Sequence, residues 1–234
     1  MRQVAQIFKK EFTVYFVSPI AYIVISIFLL VTGWFFFTTF FLFNQANLRN
    51  FFALLPIVFS FVVPAITMRL FSEELNVGSY EILLTLPVTF RDVVLGKFLA
   101  AVVFIAAMMI PTLAYPITVS FVGQLDWGPV AGGYIGTILL GASFSAIGLF
   151  ASSLTRNQII AFIMGMAICF SLTLIDKMLF FLPHSLLGFL EYLGADFHFE
   201  NISKGIIDSR DILYFLSVAF LGLYGAHMAM QERS

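Results

Sequence analysis

Residues 72–98, SEELNVGSYEILLTLPVTFRDVVLGKF, place four carboxylates, two glycines and a proline between two long apolar segments. The preceding segment, 51–68, and the following segment, 98–122, contain no charged residue. A helix needs about 20 apolar residues to cross the hydrocarbon core of a bilayer, and both segments approach or exceed that length. The stretch is therefore predicted to connect two membrane-spanning helices on one side of a membrane.

The composition of the whole chain favours lipid as its surroundings. Of its 234 residues, 61% are hydrophobic and 11% are charged, whereas soluble domains have roughly 25% charged residues. Thirty phenylalanines add more apolar surface than a soluble protein of this size buries. The net charge of −1 gives no indication of nucleic-acid binding. We therefore predict an integral membrane protein with no nucleic-acid partner.

Apolar segments without charged residues divide the chain into six predicted spans. None shows the strict alternation of a membrane β-strand, so we expect a single all-α polytopic domain over 1–234. The first apolar run is longer than a signal-peptide core and lacks a cleavage pattern, which indicates a retained span. The predicted spans are 20–43, 51–68, 98–122, 132–154, 159–175 and 212–226.

The distribution of positive charge orients these spans. If the amino terminus is cytoplasmic, eight Lys and Arg residues lie in inner segments and four in outer segments, three of these four in one long segment. Cytoplasmic loops of multi-pass proteins carry the excess of Lys and Arg. Both termini are therefore predicted to be cytoplasmic.

Residues 1–18 are predicted to form an amphipathic interfacial helix in contact with membrane lipid. They are too polar to cross the bilayer, and at 100° per residue their apolar side chains share one broad face. Glu11 falls within this face, where it either reaches water at the helix edge or is the buried partner of a nearby cation such as Arg69. The residues assigned to this interfacial site are Phe8, Lys9, Lys10, Glu11 and Phe12.

The segment 69–97 is predicted to be an organised cytoplasmic loop that contains one short helix. Ser79 can cap a helix over YEILLTL, in which Glu81 lies in the first turn and Pro87 marks the end. Gly78 permits a sharp turn before the helix. The loop therefore presents a short structured element between two spans.

The short helix carries an apolar ridge of Tyr80, Leu83 and Leu84. It either lies on lipid, packs on the inner surface of its own chain, or inserts the ridge into a groove of a cytosolic partner. Anionic headgroups would repel the carboxylates of this segment, which disfavours the first alternative. Leu83 and Leu84 are the first candidates for a partner groove, with packing on the chain itself as the alternative.

The third span has a signal at its start and another in its middle. Thr89 and Asp92 have the spacing of a capping box that begins the helix. Pro111 and Pro116 predict local kinks, because proline lacks the N–H of a regular helix.

The external segment 176–211 is predicted to cap the outer mouth. Its apolar pieces MLFFL and LLGFL are too short to span and are interrupted by Pro183 and His184. These features favour a re-entrant or interfacial hairpin before the last span, and the alternative is an ordinary partly ordered loop. Pro183 and His184 are the candidate gate residues.

No constellation of catalytic or metal-binding residues is evident. The spans contain no ionisable group away from their ends, and His184, His198 and His227 lie at borders or in external segments. Cys169 lies in an apolar run, where a small buried hydrophobe is the usual role. We therefore predict no catalytic residue, no metal and no cofactor bound by this chain.

Small and aromatic residues suggest how the spans pack. Gly132 and Gly136 form a small-xxx-small pair, which serves either packing within the chain or dimerisation. Aromatic rings in the first span either line a path for a lipid-like substrate or face acyl chains and neighbouring helices. These rings are Phe35, Phe36, Phe37, Phe40 and Phe41.

The opening stretch combines an acidic pair, a Gly-Ser, a further Glu, a Leu-Leu pair and a Pro before the third span. The residues are Glu73, Glu74, Gly78, Ser79, Glu81, Leu83, Leu84, Leu86, Pro87, Gly96 and Lys97. This pattern resembles the signature of type-2 ATP-binding-cassette transporter permeases, and the resemblance covers essentially the whole chain. Lys10-Glu11 followed by SPIAY, with HFENISKGIIDSRDILYFLSV, looks most like the gliding-motility-type branch.

The resemblance implies a multi-pass permease of the bacterial inner membrane. It implies an elbow helix at 1–18, a coupling helix within 69–97 and an external gate within 176–211. Its partners would be an ABC nucleotide-binding ATPase subunit, a second permease copy or paralogue, and an external auxiliary subunit. The residues predicted to dock the ATPase are Glu73, Glu74, Gly78, Ser79, Tyr80, Glu81, Leu83, Leu84 and Pro87.

The chain lacks the phosphate-binding loop that ATP hydrolysis would require. Gly96-Lys97 is followed by Phe98, and Arg91 stands where a P-loop needs its first glycine. ATP and Mg²⁺ are therefore expected on the partner ATPase. Two functions stay open: an exporter subunit driven by that ATPase, or a membrane anchor of an ATPase-driven assembly or gliding complex that remodels external proteins without transport.

Overall fold

The computed structural model describes residues 2–43, 47–78, 89–178, 192–206 and 208–232. These residues form ten α-helices and one 3₁₀ segment, Ile110–Leu113, that follows α5. The helices are α1 Arg2–Val17, α2 Pro19–Phe43, α3 Arg49–Thr67, α4 Arg69–Val77, α5 Phe90–Met109, α6 Ala114–Val122, α7 Trp127–Leu154, α8 Gln158–Met178, α9 Ala195–Ser203 and α10 Ser209–Gln231.

Six candidate membrane spans confirm the predicted all-α polytopic class. Four are the single helices α2, α7, α8 and α10, and two are composite, since α3 continues into α4 and α5 continues through the 3₁₀ segment into α6. The part of the chain that the structure describes contains no β-strand. Each predicted span lies within one of these six helical segments. Each helical segment is longer than its predicted span, at one end or at both.

The helix α7 lies at the centre of the bundle. Its most apolar window is 72% buried, whereas the corresponding windows of α2, α8 and α10 are 22% buried. The helices α3, α5, α8, α9 and α10 all pack on α7. The peripheral helices therefore present most of the surface that faces lipid.

Glycines of α7 allow this dense packing. A Cβ atom at Gly132 would collide with the carbonyl oxygen of Ile202, and one at Gly136 would lie 3.1 Å from the Ile202 side chain. Both glycines therefore face α9 of the same chain. Of the two alternatives for this small-residue pair, the structure supports packing within the chain.

The third span begins at its predicted capping box and is interrupted at Pro111, whereas Pro116, the other predicted kink, lies in the first turn of α6. The capping box of Thr89 and Asp92 is present at the start of α5. Near Pro111 the α-helix gives way to the 3₁₀ segment, and the carbonyl of Thr112 accepts a hydrogen bond of 2.9 Å from the Tyr134 hydroxyl of α7. A neighbouring helix thus satisfies a carbonyl at the break, as expected for an interrupted span.

The helix α1 packs along the first half of α5. Ile7 lies against Gly96, and the ring of Tyr15 stacks on that of Phe104 with centroids 4.8 Å apart. Later residues of α1 thus contact later residues of α5, so the two helices run side by side. A helix flat on a membrane surface would instead cross a spanning helix at one place. The predicted apolar face is therefore used for packing on protein, and the flat interfacial position is not confirmed.

The aromatic rings of α2 divide between two roles. Phe36 is buried and stacks on Tyr115 with centroids 4.6 Å apart, while Phe35, Phe37 and Phe41 are exposed. These positions agree with packing between helices for one ring and lipid contact for the others. A substrate path along this span stays a hypothesis.

The close approach of α7 and α9 leads to a test of the fold. Replacing Gly132 with Ala puts a methyl group against the α9 backbone, and we expect the free energy of unfolding to fall by about 1–3 kcal/mol. The matched control is Gly165→Ala, since the added Cβ would lie 3.4 Å from its nearest neighbour, Pro64. Thermal unfolding of both variants in detergent measures the difference, and equal stability would contradict the described helix contact.

Candidate functional site

A buried group of charges joins three helices that include the two flanking the segment 79–88. The ammonium of Lys97, on α5, donates hydrogen bonds to Glu11 Oε1 on α1 at 2.9 Å and to Glu74 Oε1 on α4 at 2.8 Å. Lys97 is 1% exposed, and Glu11 is 8% exposed. Lys10 lies at the outer edge, with its ammonium 3.7 Å from the same oxygen of each carboxylate. We call these four residues the Lys97 cluster.

Local packing brings the Lys97 cluster together. Gly96 has no side chain, so Ile7 and the backbone of α1 approach α5 directly in front of Lys97. This contact places Glu11, one turn after Ile7, next to the ammonium. The Phe71 ring covers another side, with Lys97 Nζ 5.3 Å from the ring centre. The lysine is thus enclosed by α1, α4 and its own helix.

The Lys97 cluster balances its charges. Two ammonium groups face two carboxylates, and the inner ammonium makes two short charge-assisted hydrogen bonds. A buried charge is costly without a partner, so removing the buried Lys97 ammonium takes from both carboxylates their closest partner. The arrangement therefore resists separation of α1, α4 and α5.

The junction of α3 and α4 is fixed to the central helix by a second polar contact. The hydroxyl oxygen of Ser152, on α7, accepts hydrogen bonds from the backbone N–H groups of Phe71 and Ser72, both at 3.0 Å. The same hydroxyl donates to the carbonyl of Met68 at 2.7 Å. Ser152 thus acts as an N-terminal cap for α4 from another helix. The beginning of α4 is thereby tied to α7.

Chemically, this arrangement holds helices in place. Within the described ranges, no three His, Cys, Asp or Glu residues are grouped closely enough to hold a metal ion. The ionic contacts instead link the two flanks of segment 79–88, since α4 ends just before it and α5 begins just after it. A displacement of that segment would therefore act on α1 and α7 as well.

The predicted docking residues fall into two groups. Glu73 is exposed on α4, Glu74 belongs to the Lys97 cluster, and Gly78 ends α4 with a left-handed φ of 77°. Residues 69–77, the first nine residues of the predicted cytoplasmic loop 69–97, are therefore helical. The remaining candidates lie outside the described residues, and their docking role stays a prediction. They are Ser79, Tyr80, Glu81, Leu83, Leu84 and Pro87.

The predicted interfacial residues of α1 also divide. Phe8 and Phe12 stack with centroids 5.6 Å apart on the side that packs against the core, and Lys9 is exposed. Lys10 and Glu11 enter the Lys97 cluster. Glu11 is thus the buried partner of a cation, the second of the two alternatives, and the cation is Lys97.

Pro183 and His184 lie outside the described residues, so the external gate stays a prediction. The structure brings together residues nearby that the sequence did not single out. Buried His198 contacts Asp211 through Nδ1 at 2.6 Å and the carbonyl of Tyr192 through Nε2 at 3.0 Å. The Tyr214 hydroxyl donates to the carbonyl of Leu193 at 2.7 Å. These contacts hold residues 192–193 against α9 and α10.

Sequence reasoning also missed Lys97 as a member of the site. The available signal was a lysine one residue before an apolar segment, directly after a glycine that permits close helix packing. Its two acidic partners are 86 and 23 residues away along the chain. Their convergence depends on the packing of three helices.

Comparison with known families identifies the setting of these contacts. Residues 6–231 match the family described as ABC-2 family transporter protein. The chain belongs to this family. A comparison with curated proteins gave no match. The family match confirms the type-2 permease resemblance and does not support a gliding-motility branch.

Membership of the ABC-2 family fits the architecture described above. Its permeases are generally non-catalytic transmembrane subunits that work with an ABC ATPase. The matched range includes most of α1, all six candidate spans and the Lys97 cluster. The cluster is therefore a feature of the permease domain itself.

The Lys97 cluster leads to a stability prediction. Lys97→Met leaves two largely buried carboxylates with only the exposed Lys10 ammonium near them, and we expect the free energy of unfolding to fall by about 3–5 kcal/mol. Lys10→Met, which removes a side chain that is 63% exposed, should cost less than about 1 kcal/mol. Denaturant titration in detergent micelles compares the two variants. Similar losses for both lysines would show that burial does not set the strength of these contacts.

Proposed function

We propose that this chain is the permease subunit of an ABC exporter in the bacterial inner membrane, with both termini cytoplasmic. The ABC-2 family match over residues 6–231 carries the proposal, and the six candidate spans agree with it. Because the sequence has no P-loop pattern, the proposal places ATP and Mg²⁺ on a separate ABC ATPase. Two permease subunits, identical or paralogous, would pair with two ATPase subunits.

The ATPase would act on the segment 79–88. In this proposal Leu83 and Leu84 insert into an ATPase groove, and Tyr80 extends the same apolar ridge. Of the adjacent acidic pair, Glu73 is exposed, whereas Glu74 is held in the Lys97 cluster. Glu73 is therefore better placed to meet a cation of the ATPase, and Glu74 to keep α4 in position.

The two polar junctions give the proposed motion a path into the membrane. Movement of 79–88 would displace the end of α4 and the start of α5. The Lys97 cluster connects these ends to α1, and Ser152 connects α4 to α7. Because α7 contacts most other spans, a displacement that reaches it affects the whole bundle.

A second candidate function is a membrane anchor for an ATPase-driven assembly or gliding complex that remodels external proteins. The segments SPIAY and HFENISKGIIDSRDILYFLSV, which look like the gliding-motility-type branch, favour this candidate. Both candidates share the ATPase partner and a second permease copy. They differ in whether a substrate crosses the membrane, and an external auxiliary subunit fits either.

Leu84→Asp tests the docking proposal. A carboxylate in an apolar groove would lose its hydration without a partner, so we expect at least about tenfold weaker association with the co-expressed ABC ATPase. Permease-stimulated ATP hydrolysis should fall in parallel, while membrane insertion stays unchanged. Co-purification and ATP turnover in proteoliposomes are the measurements.

The matched control is Leu84→Met, which keeps an apolar side chain of similar volume. This variant should keep association and turnover near those of the wild type. Unchanged ATPase association and turnover in Leu84→Asp would remove the docking proposal. With docking established, substrate transfer into vesicles supports the exporter, and ATP-dependent rearrangement of an external protein without transfer supports the anchor.

A further inference from the structure

A cleft lined by both charged and apolar groups separates α1 from α4. It consists of two adjoining cavities of about 280 Å³ and 720 Å³. Both cavities are lined by Lys10, Val14, Arg69 and Glu73, so they form one continuous groove. The larger cavity extends along α1 to Val17. The Lys97 cluster closes the inner end of the smaller cavity.

Arg69 presents hydrogen-bond donors to this cleft. Its guanidinium lies over the Tyr15 ring, 5.0 Å from the centroid, and donates one hydrogen bond of 3.2 Å to the Ser18 hydroxyl oxygen. A guanidinium carries five N–H donors in a planar fork that suits phosphate oxygens. Among the described residues, no carboxylate oxygen lies within 4.0 Å of this group. The remaining donors are therefore directed to a ligand or to solvent.

The cleft adjoins the ends of two charge-free segments, 20–43 and 51–68. Ser18 immediately precedes the first candidate span, and Arg69, the first residue of α4, is the first charged residue after 51–68 within the second candidate span. Exposed apolar side chains flank the charged groups, with Val17 76% exposed and Val77 74% exposed. Phospholipids offer a phosphate and apolar chains at this level, a combination that a free phosphate ion lacks.

The charges of the cleft select among phospholipid headgroups. Glu73 is exposed and follows Arg69 by four residues on α4, so the two side chains lie on one helix face a turn apart. An ethanolamine headgroup also carries a negative and a positive group a short distance apart. We propose that the cleft binds a phosphatidylethanolamine headgroup, with its phosphate on Arg69 and Lys10 and its ammonium near Glu73.

This lipid site does not depend on the proposed ATPase docking. The bound headgroup would bridge α1 and α4 on the solvent side of the Lys97 cluster. The acyl chains would extend along the exposed apolar side chains near the start of α2, where Ile20 is 49% exposed. The lipid would thus add a further contact between α1 and α4.

Native mass spectrometry of the full chain in detergent, without any ATPase, tests this site. Phosphatidylethanolamine is titrated into the wild type and into Arg69→Gln, which should bind one lipid about tenfold or more weakly because it loses charge-assisted hydrogen bonds. The matched control is Arg156→Gln, an exposed arginine on the loop between α7 and α8, and its binding should equal that of the wild type. Equal lipid binding by both arginine variants would overturn the site.

Two further arms make the result specific. Lys10→Gln changes an exposed side chain and should weaken binding about threefold, which gives a test even if Arg69→Gln fails to fold. The wild type should prefer phosphatidylethanolamine over phosphatidylglycerol, and Glu73→Gln should remove that preference. Displacement of the lipid by millimolar inorganic phosphate, or an equal headgroup preference in the wild type and Glu73→Gln, would overturn the assignment.

Discussion

The buried ammonium of Lys97 is the constraint on which the packing of α1, α4 and α5 depends. A charge that is almost completely shielded from solvent must meet carboxylates, and here they come from α1 and α4. Neither helix could move away from α5 without breaking a hydrogen bond to this ammonium. The segment 79–88 is consequently flanked by two helices, α4 and α5, that the ion pair of Lys97 and Glu74 holds together.

The remainder of the bundle depends on close contact between helices. Lipid provides little hydrophobic drive for helices to associate, so packing and local hydrogen bonds hold them. In α7 the glycines admit α9 and α3 to its backbone, and Ser152 supplies the cap of α4. Both features depend on small residues, the glycines of α7 and Ser152. The central helix therefore combines dense packing with a specific polar connection.

Much of this architecture could be predicted from the sequence because the bilayer imposes simple rules. Each span requires a long charge-free segment, and the capping box at Thr89 and the break at Pro111 depend on local chemistry. The Lys97 cluster could not be predicted in the same way. A lysine at the end of an apolar segment usually extends toward water. Here Gly96 allows α1 to pack over the lysine, and that contact places Glu11, which is distant in sequence, beside the ammonium.

The interruption of the third span changes how a displacement of its first residues is transmitted along the helix. A continuous rod of 33 residues would deliver a displacement to its far tip, but the rod changes pitch at Ile110–Leu113 and is fastened there to Tyr134. The 3₁₀ segment therefore divides the span into α5, which packs on α1, and α6, whose Tyr115 stacks on Phe36 of α2. A bend at this break would change the direction of α5 while α6 stays in contact with α2.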